Sequence, residues 1–208
     1  MNLIRKLRAL LKSRRLFCNW FSAGLKYYLS RYGLDVKYIN TYCCRVGREY
    51  MLTRRSYASV VNAYYDGLFN DIECNDSMYL ILNIGNNRVR FHINSAAFLF
   101  DIVHENLRGG AYDDLDVGGR TVVDVGAGVG DTAILFSLHG ARRVIALEPY
   151  PRLYEEALLN IKANGLADRV VLVNAGLGAT DGEVCADPGD VEGYFLFRPG
   201  GRCQGEDV

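Results

Sequence analysis

The sequence predicts an α/β fold built around a short parallel sheet, and three observations predict it. Thr121, Val122 and Val123 form a β-branched apolar run that ends at an acid, Asp124, and opens into Gly126, Gly128 and Gly130. A second apolar run, residues 143 to 147, ends at another acid, Glu148. Stretches of helical spacing at 131 to 138 and 151 to 164 separate these runs from each other and from a third at 170 to 173, so the order is β-α-β-α-β. Parallel strands joined by helical crossovers make a Rossmann-like layered sheet, whose ligands sit at the carboxyl ends of its strands.

The elements before that sheet are justified in turn. Residues 1 to 34 carry Arg5, Lys6, Arg8, Lys12, Arg14, Arg15, Lys26 and Arg31 and no acid. Leu3, Ile4, Leu7, Leu10 and Leu11, then Phe17, Trp20, Phe21 and Tyr28, recur at helical spacing, which makes a basic amphipathic segment. We expect it to pack on the core, with weak contact of residues 1 to 31 with an anionic membrane face as the alternative role. Residues 35 to 110 read as an α+β extension, with short strands between 36 and 53. Ser56 is placed as the cap of a helix through Val60, Val61, Tyr64 and Leu68, weakened at Asp66-Gly67. Tyr79 to Asn83 and Val89 to Ile93 flank Gly85-Asn86-Asn87 as a β-hairpin. A helix is expected from Ser95 through Phe98, Leu99, Ile102, Val103 and Leu107, stopped by Gly109-Gly110. Asp113, Asp114 and Asp116 lack the glutamate of a calcium loop and read as a solvated turn. The sheet domain then occupies residues 111 to 208.

Composition narrows the function. The 208 residues balance 24 basic against 24 acidic, so no global charge favours nucleic acid. Basic residues interrupt every amino-terminal apolar run, which leaves nothing near the roughly 20 residues of a bilayer span or the unbroken core of a secretory signal. A cytoplasmic location is expected. Cys18, Cys43, Cys44, Cys74, Cys185 and Cys203 show no Cys-x-x-Cys pair and no histidine at zinc spacing. Reduced thiols and no metal are therefore expected, with a disulfide left open for an intracellular hyperthermophile protein.

The glycine turn is the sharpest chemical signal. A dinucleotide fingerprint needs Gly-x-Gly-x-x-Gly, whereas here the third glycine's position holds Asp131, an acid suited to the helix start and repellent to a pyrophosphate. Asp124 is placed to hold a ligand ammonium, directly or through water, and Glu148 to accept from two ribose hydroxyls. A nucleoside that carries an amino acid satisfies both.

VVDVGAGVGDTA, VIALEP and YEEALLNIKANGL, within residues 121 to 178, resemble class I methyltransferases, most closely the FkbM family. The upstream NAYYDGL and FDIVHENL are also similar to archaeal members. The resemblance implies S-adenosylmethionine as cofactor, held by Asp124, Gly126, Ala127, Gly128, Gly130, Glu148 and Pro149. The turn would line the methionine end, Glu148 the ribose, and Pro149 with Tyr150 the adenine. Only 35 residues follow Val173, so the methyltransferase sheet is expected to lack its carboxyl-terminal half and to leave an edge of its first strand bare. That edge is covered by the amino-terminal region, paired by a partner chain, or left open in a less stable fragment. The letters Asp190-Val191-Glu192-Gly193 copy a downstream family motif, but Pro188 before them suits no central strand.

Many class I enzymes place an acid after the third strand, where this chain has Asn174. His92, His104 and His139 read as structural or surface residues, because none stands at a strand's carboxyl end. No catalytic residue is assigned. The expected function is methyl transfer to a hydroxyl of a sugar, glycan-lipid or small metabolite, an acceptor class implied by the resemblance alone. One alternative is an RNA methyltransferase, to which the Asn160-x-x-x-Asn164 spacing is similar. The other is a non-catalytic module that binds cofactor or a partner chain.

Overall fold

The computed structural model describes residues 3–33, 35–43, 46–99, 102–107, 110–179 and 182. Cys44, Cys185, Cys203 and residues 190 to 193 lie outside them, as does the expected stop at Gly109.

Helices α1 (Leu3–Ser13) and α2 (Trp20–Ser30) open the chain. Ala9, Leu16, Phe17 and Ala23 are buried, as expected of a segment packed on the core. Strands β1 (Tyr38–Cys43) and β2 (Arg48–Thr53) pair antiparallel, and β2 runs straight into α3 (Arg54–Tyr65). That junction moves the expected cap. Thr53, still extended, accepts the Ser56 amide at 3.1 Å, so Thr53 caps the helix and Ser56 sits inside it. The helix also stops before Leu68. Gly67 turns left-handed at φ 75°, its amide donates to Tyr64 O, and the Leu68 amide donates to Ala63 O at 2.9 Å, the double closure of a Schellman motif.

Strands β3 (Asp71–Cys74), β4 (Met78–Ile84) and β5 (Asn87–His92) form an antiparallel sheet in that order. Ile84 pairs with Asn87, which leaves Gly85-Asn86 as a two-residue turn in the expected hairpin. Cys43 at the end of β1 and Cys74 at the end of β3 form a disulfide, and Cys18 is disulfide-bonded too, so the expectation of reduced thiols is corrected. Spacing alone concealed the pairing, because 31 residues separate Cys43 from Cys74 and only the fold brings them together. The continuous helix expected from Ser95 is also corrected. A 3₁₀ turn (Ile93–Ala97) is followed by a π-helical turn (Ile102–Leu107), and Ile93, Ala96, Leu99, Ile102 and Val103 are buried through this irregular path.

The carboxyl-terminal elements match the predicted order: β6 (Thr121–Val125), α4 (Asp131–Leu138), β7 (Arg143–Leu147), α5 (Pro151–Ala163) and β8 (Val170–Val173). The strands are parallel in the order β6-β7-β8. The helices form a middle layer. Ala133, Phe136, Ala157 and Ile161 pack with Val144, Ala146 and Val170 of the parallel sheet, while Ile134 and Leu153 join the larger core of the amino-terminal region. Every α4 residue from Asp131 to Ser137 is buried, so this helix shows no polar stripe.

Among the described residues, the amino-terminal region thus packs on the helices. Among the described residues β6 pairs with β7 alone. The sheet's outer face carries Val123, Ile145 and Val171 in one row and Val125, Leu147 and Val173 in the next, with Val123 at 60% and Val125 at 53% exposure. Among the described residues, no helix is long and apolar enough to cross a membrane, and no three His, Cys, Asp or Glu residues are grouped to hold a metal.

The disulfide closes a 31-residue span between two small sheets. Replacing Cys43 and Cys74 together by alanine is expected to remove about 2 to 4 kcal/mol, read as a lower urea midpoint under non-reducing conditions.

Candidate functional site

The site is a backbone turn held in place by side chains. Gly126, Gly128 and Gly130 have φ of 82°, 53° and 84°, a region closed to most side-chain-bearing residues. The amides of Gly126 and Ala127 both donate to Leu147 O, at 2.9 and 3.0 Å, which pins the turn to the end of β7. The three glycines then differ. A Cβ on Gly130 would lie 3.2 Å from Ala157 Cβ, whereas one on Gly126 or Gly128 would meet nothing within 4 Å. Gly130 thus serves close packing against α5, the role that spacing had denied it, and Gly126 with Gly128 presents bare backbone to open space.

Glu148 closes the turn from the other side. Its Oε2 accepts the Gly128 amide at 2.8 Å and its Oε1 accepts the Tyr150 amide at 2.9 Å. The carboxylate therefore points at the glycine turn, at the end of β7, although it is only 3% exposed. Each oxygen retains acceptor capacity beyond its one amide. Because the Gly128 amide is spent on Glu148, it is not free to cradle a phosphate, which agrees with the misfit to the dinucleotide fingerprint.

Two more acids stand beside this pair. Asp124 accepts from Thr132 Oγ1 at 2.6 Å, and Asp131, the first residue of α4, accepts from Asn106 Nδ2 at 2.5 Å. Burial pushes all three carboxyls up. Asp131 reaches about 6, with Asn106 and the helix-start amides opposing the rise and the Asp124 charge adding to it. Asp124 also adds to the rise at Glu148, so the three acids share one field. A turn surrounded by mutually repelling carboxylates suits a cation, and protonation relieves them when no cation is present.

Of the other expected site residues, Ala127 is 1% exposed and packs in the core, and Pro149 is half-buried with its ring near Gly176. Tyr150 is 7% exposed and belongs to the large core. Asn174 Nδ2 donates to the carbonyls of Glu148 and Pro149, at 2.8 and 3.2 Å, and so ties β8 to the end of β7. His92 Nδ1 lies 3.0 Å from both Glu156 carboxylate oxygens, a buried structural pair as expected, while His139 is exposed at the end of α4.

Sequence reasoning named Asn160 for its spacing alone and missed its role in bracing the turn. Asn160 of α5 is fully buried, and its Nδ2 donates to Val129 O inside the glycine turn at 2.8 Å and to Ser95 Oγ at 3.0 Å. Its Oδ1 accepts the His92 amide at 2.6 Å. The signal was present as polar residues Glu156, Asn160 and Asn164 at four-residue spacing.

Asn160→Ala is expected to leave the His92 amide and the Val129 carbonyl unpaired and to cost about 2 to 4 kcal/mol, read from urea unfolding. For Asp131 the sign follows from its raised value. The folded state binds this proton more tightly, so its contribution is complete below 3.8 and is lost as pH rises through 6. Asp131→Asn should flatten that decline and raise neutral-pH stability by about 1 to 3 kcal/mol, measured by thermal unfolding from below 3.8 up to neutral pH.

No family model matches the chain. A 60-residue stretch is 40% identical to the ribosomal protein L11 methyltransferase of Aeromonas hydrophila, covering 29% of this chain and 20% of that enzyme. The chain thus matches about a fifth of that relative's length. Among solved structures, protein arginine methyltransferase 10 of Arabidopsis thaliana is similar over 27% of this chain and 16% of its own, with 38% identity and a TM-score of 0.27. The PRMT1 enzyme–prozyme complex of Trypanosoma brucei with AdoHcy is similar over 27% and 17%, with 28% identity and a TM-score of 0.26. Overlaps this small leave the fold assignment resting on the parallel sheet itself.

Proposed function

We propose that the glycine turn is the S-adenosylmethionine site of a methyltransferase, with Gly126, Gly128, Asp124 and Glu148 as its contacts. The observation that carries this reading is the Glu148 carboxylate bonded to the Gly128 amide at 2.8 Å, which sets an acid and bare backbone side by side at the mouth of the sheet. The residues fit the cofactor's chemistry. It brings a sulfonium and an ammonium, both positive, and three carboxyls of raised proton affinity gather at the turn. The 40% identity to a methyltransferase over 60 residues supports the same reading.

When bound, this cofactor supplies an electrophilic methyl group. The chain's own residues position it, since in-line displacement needs alignment more than covalent help. Glu148 offers its remaining acceptor sites to ribose hydroxyls, and Asp124, braced by Thr132, faces the amino-acid end. The acceptor in this proposal is a hydroxyl of a sugar, glycan-lipid or small metabolite, in line with the resemblance to the FkbM family, and the enzyme works in the cytoplasm. The open edge of β6 is the place for a partner chain. The second reading is a module that binds cofactor without turnover. It is favoured by the lack, among the described histidine side chains, of one at the turn.

Titration calorimetry with S-adenosylmethionine tests the site. The parent chain is expected to bind and Glu148→Gln to bind at least about tenfold more weakly, because a charge-assisted acceptor is lost. Binding of NAD in its place would overturn the cofactor assignment. A labelled-methyl assay on hydroxyl-bearing glycan pools and on RNA then separates the readings. Label in RNA and not in the glycan pools overturns the glycan or metabolite acceptor, and tight binding with no transfer to either pool supports the module.

A further inference from the structure

The two amino-terminal helices bury less than their sequence predicts. In α1, Ile4, Leu7 and Leu11 are 55%, 50% and 53% exposed and lie at three- and four-residue spacing, hence along one stripe. In α2, Phe21, Leu25 and Leu29 repeat every four residues at 63%, 48% and 44% exposure, and Tyr32 just beyond continues the stripe at 86%. The opposite faces do bury: Ala9 and Ala23 are within the core, and Leu10 of α1 meets Gly24 of α2 so closely that a Cβ there would lie 2.1 Å from Leu10 Cδ1. Each helix thus has an inner face committed to protein and an outer apolar stripe left in water.

Charge supplies the second observation. Arg5 and Lys12 are engaged by the protein, Arg5 by Asp66 at 2.7 Å and Lys12 by Tyr65 O at 3.1 Å. Arg8, Arg14 and Arg15 are exposed and, with Leu11, line an open cavity of about 860 Å³ beside the α1 stripe. No acid occurs in residues 1 to 34. An apolar stripe flanked by cations and free of acids is complementary to a surface that is apolar beneath and anionic on top.

We propose that α1 and α2 form an interfacial docking surface for an anionic lipid bilayer, lying in the plane of the membrane and not across it. Leu7, Leu11, Phe21, Leu25 and Leu29 enter the acyl boundary while Arg8, Arg14 and Arg15 meet lipid phosphates. This inference stands independently of the methyl-transfer reading.

The test uses the full chain and vesicles of phosphatidylcholine with and without phosphatidylglycerol. Trp20, the sole tryptophan, precedes Phe21 in α2 and reports contact without any substitution. Its fluorescence is expected to be quenched by anionic vesicles with brominated acyl chains. No quenching overturns the proposal. In sedimentation, binding should fall steeply between about 0.1 M and 0.5 M salt as the screening length shortens. Arg8→Gln with Arg14→Gln and Arg15→Gln should weaken partitioning on the order of a hundredfold. Leu11→Gln with Leu25→Gln, at exposed positions, should weaken it at least tenfold with the thermal transition unchanged. Equal binding by both variants overturns the proposal. So does a self-associated chain that Leu11→Gln with Leu25→Gln makes monomeric, or retention by RNA in place of vesicles.

Discussion

The architecture depends on the polar stripe of α5. Asn164 accepts the Arg90 amide at 2.9 Å and donates to the Arg90 carbonyl at 2.7 Å, the same pair of bonds that a neighbouring strand would make. Asn160 repeats half of that exchange at His92, and Glu156 ends the stripe by accepting from Ser95 Oγ at 2.8 Å. A helix thus stands in for a strand along the open edge of β5. Because Asn160 also bonds Val129 O, the spacing between the two sheets and the shape of the glycine turn are fixed by one side chain. Buried amides with every polar atom matched are costly to disturb, which makes this seam a specification of the fold as well as a contact.

The turn is complete without a ligand. Leu147 O takes two of its amides, Glu148 a third, and Asn160 the Val129 carbonyl. What remains unmatched is charge. Asp124, Asp131 and Glu148 sit in a partly dehydrated space with hydroxyl and amide groups as their hydrogen-bond partners among the described residues, so the field at the turn is negative.

The sequence made the carboxyl-terminal sheet legible almost residue by residue. Its strands are short, apolar and bounded by glycines or acids, and their periodicity has only one solution. The candidate acids Asp124 and Glu148 were legible for the same reason, since Asp124 is the next-to-last residue of β6 and Glu148 directly follows β7. The remainder depended on distant partners. The Cys43–Cys74 bridge and Thr53's capping role follow from where β2 and β3 lie. The 3₁₀ turn at Ile93–Ala97 and the π turn at Ile102–Leu107 were not legible, because helical spacing does not distinguish these tighter and wider turns from a regular helix. Gly130 was misjudged because a spacing rule says which glycine is third, not which one faces Ala157. The apolar positions of α1 and α2 were recognised, but periodicity does not reveal how much of an amphipathic face stays uncovered.

The shared field of the three acids has a thermodynamic consequence. Burial and the Asp124 charge raise Asp131 to about 6, so a cation bound at the turn in the proposed way would displace part of a proton into solution. In the proposed site, association would then exchange part of a hydrogen ion for the ligand. Its apparent affinity tightens as the solution becomes less acidic, and the heat it releases varies with the ionisation enthalpy of the buffer that captures the displaced ion.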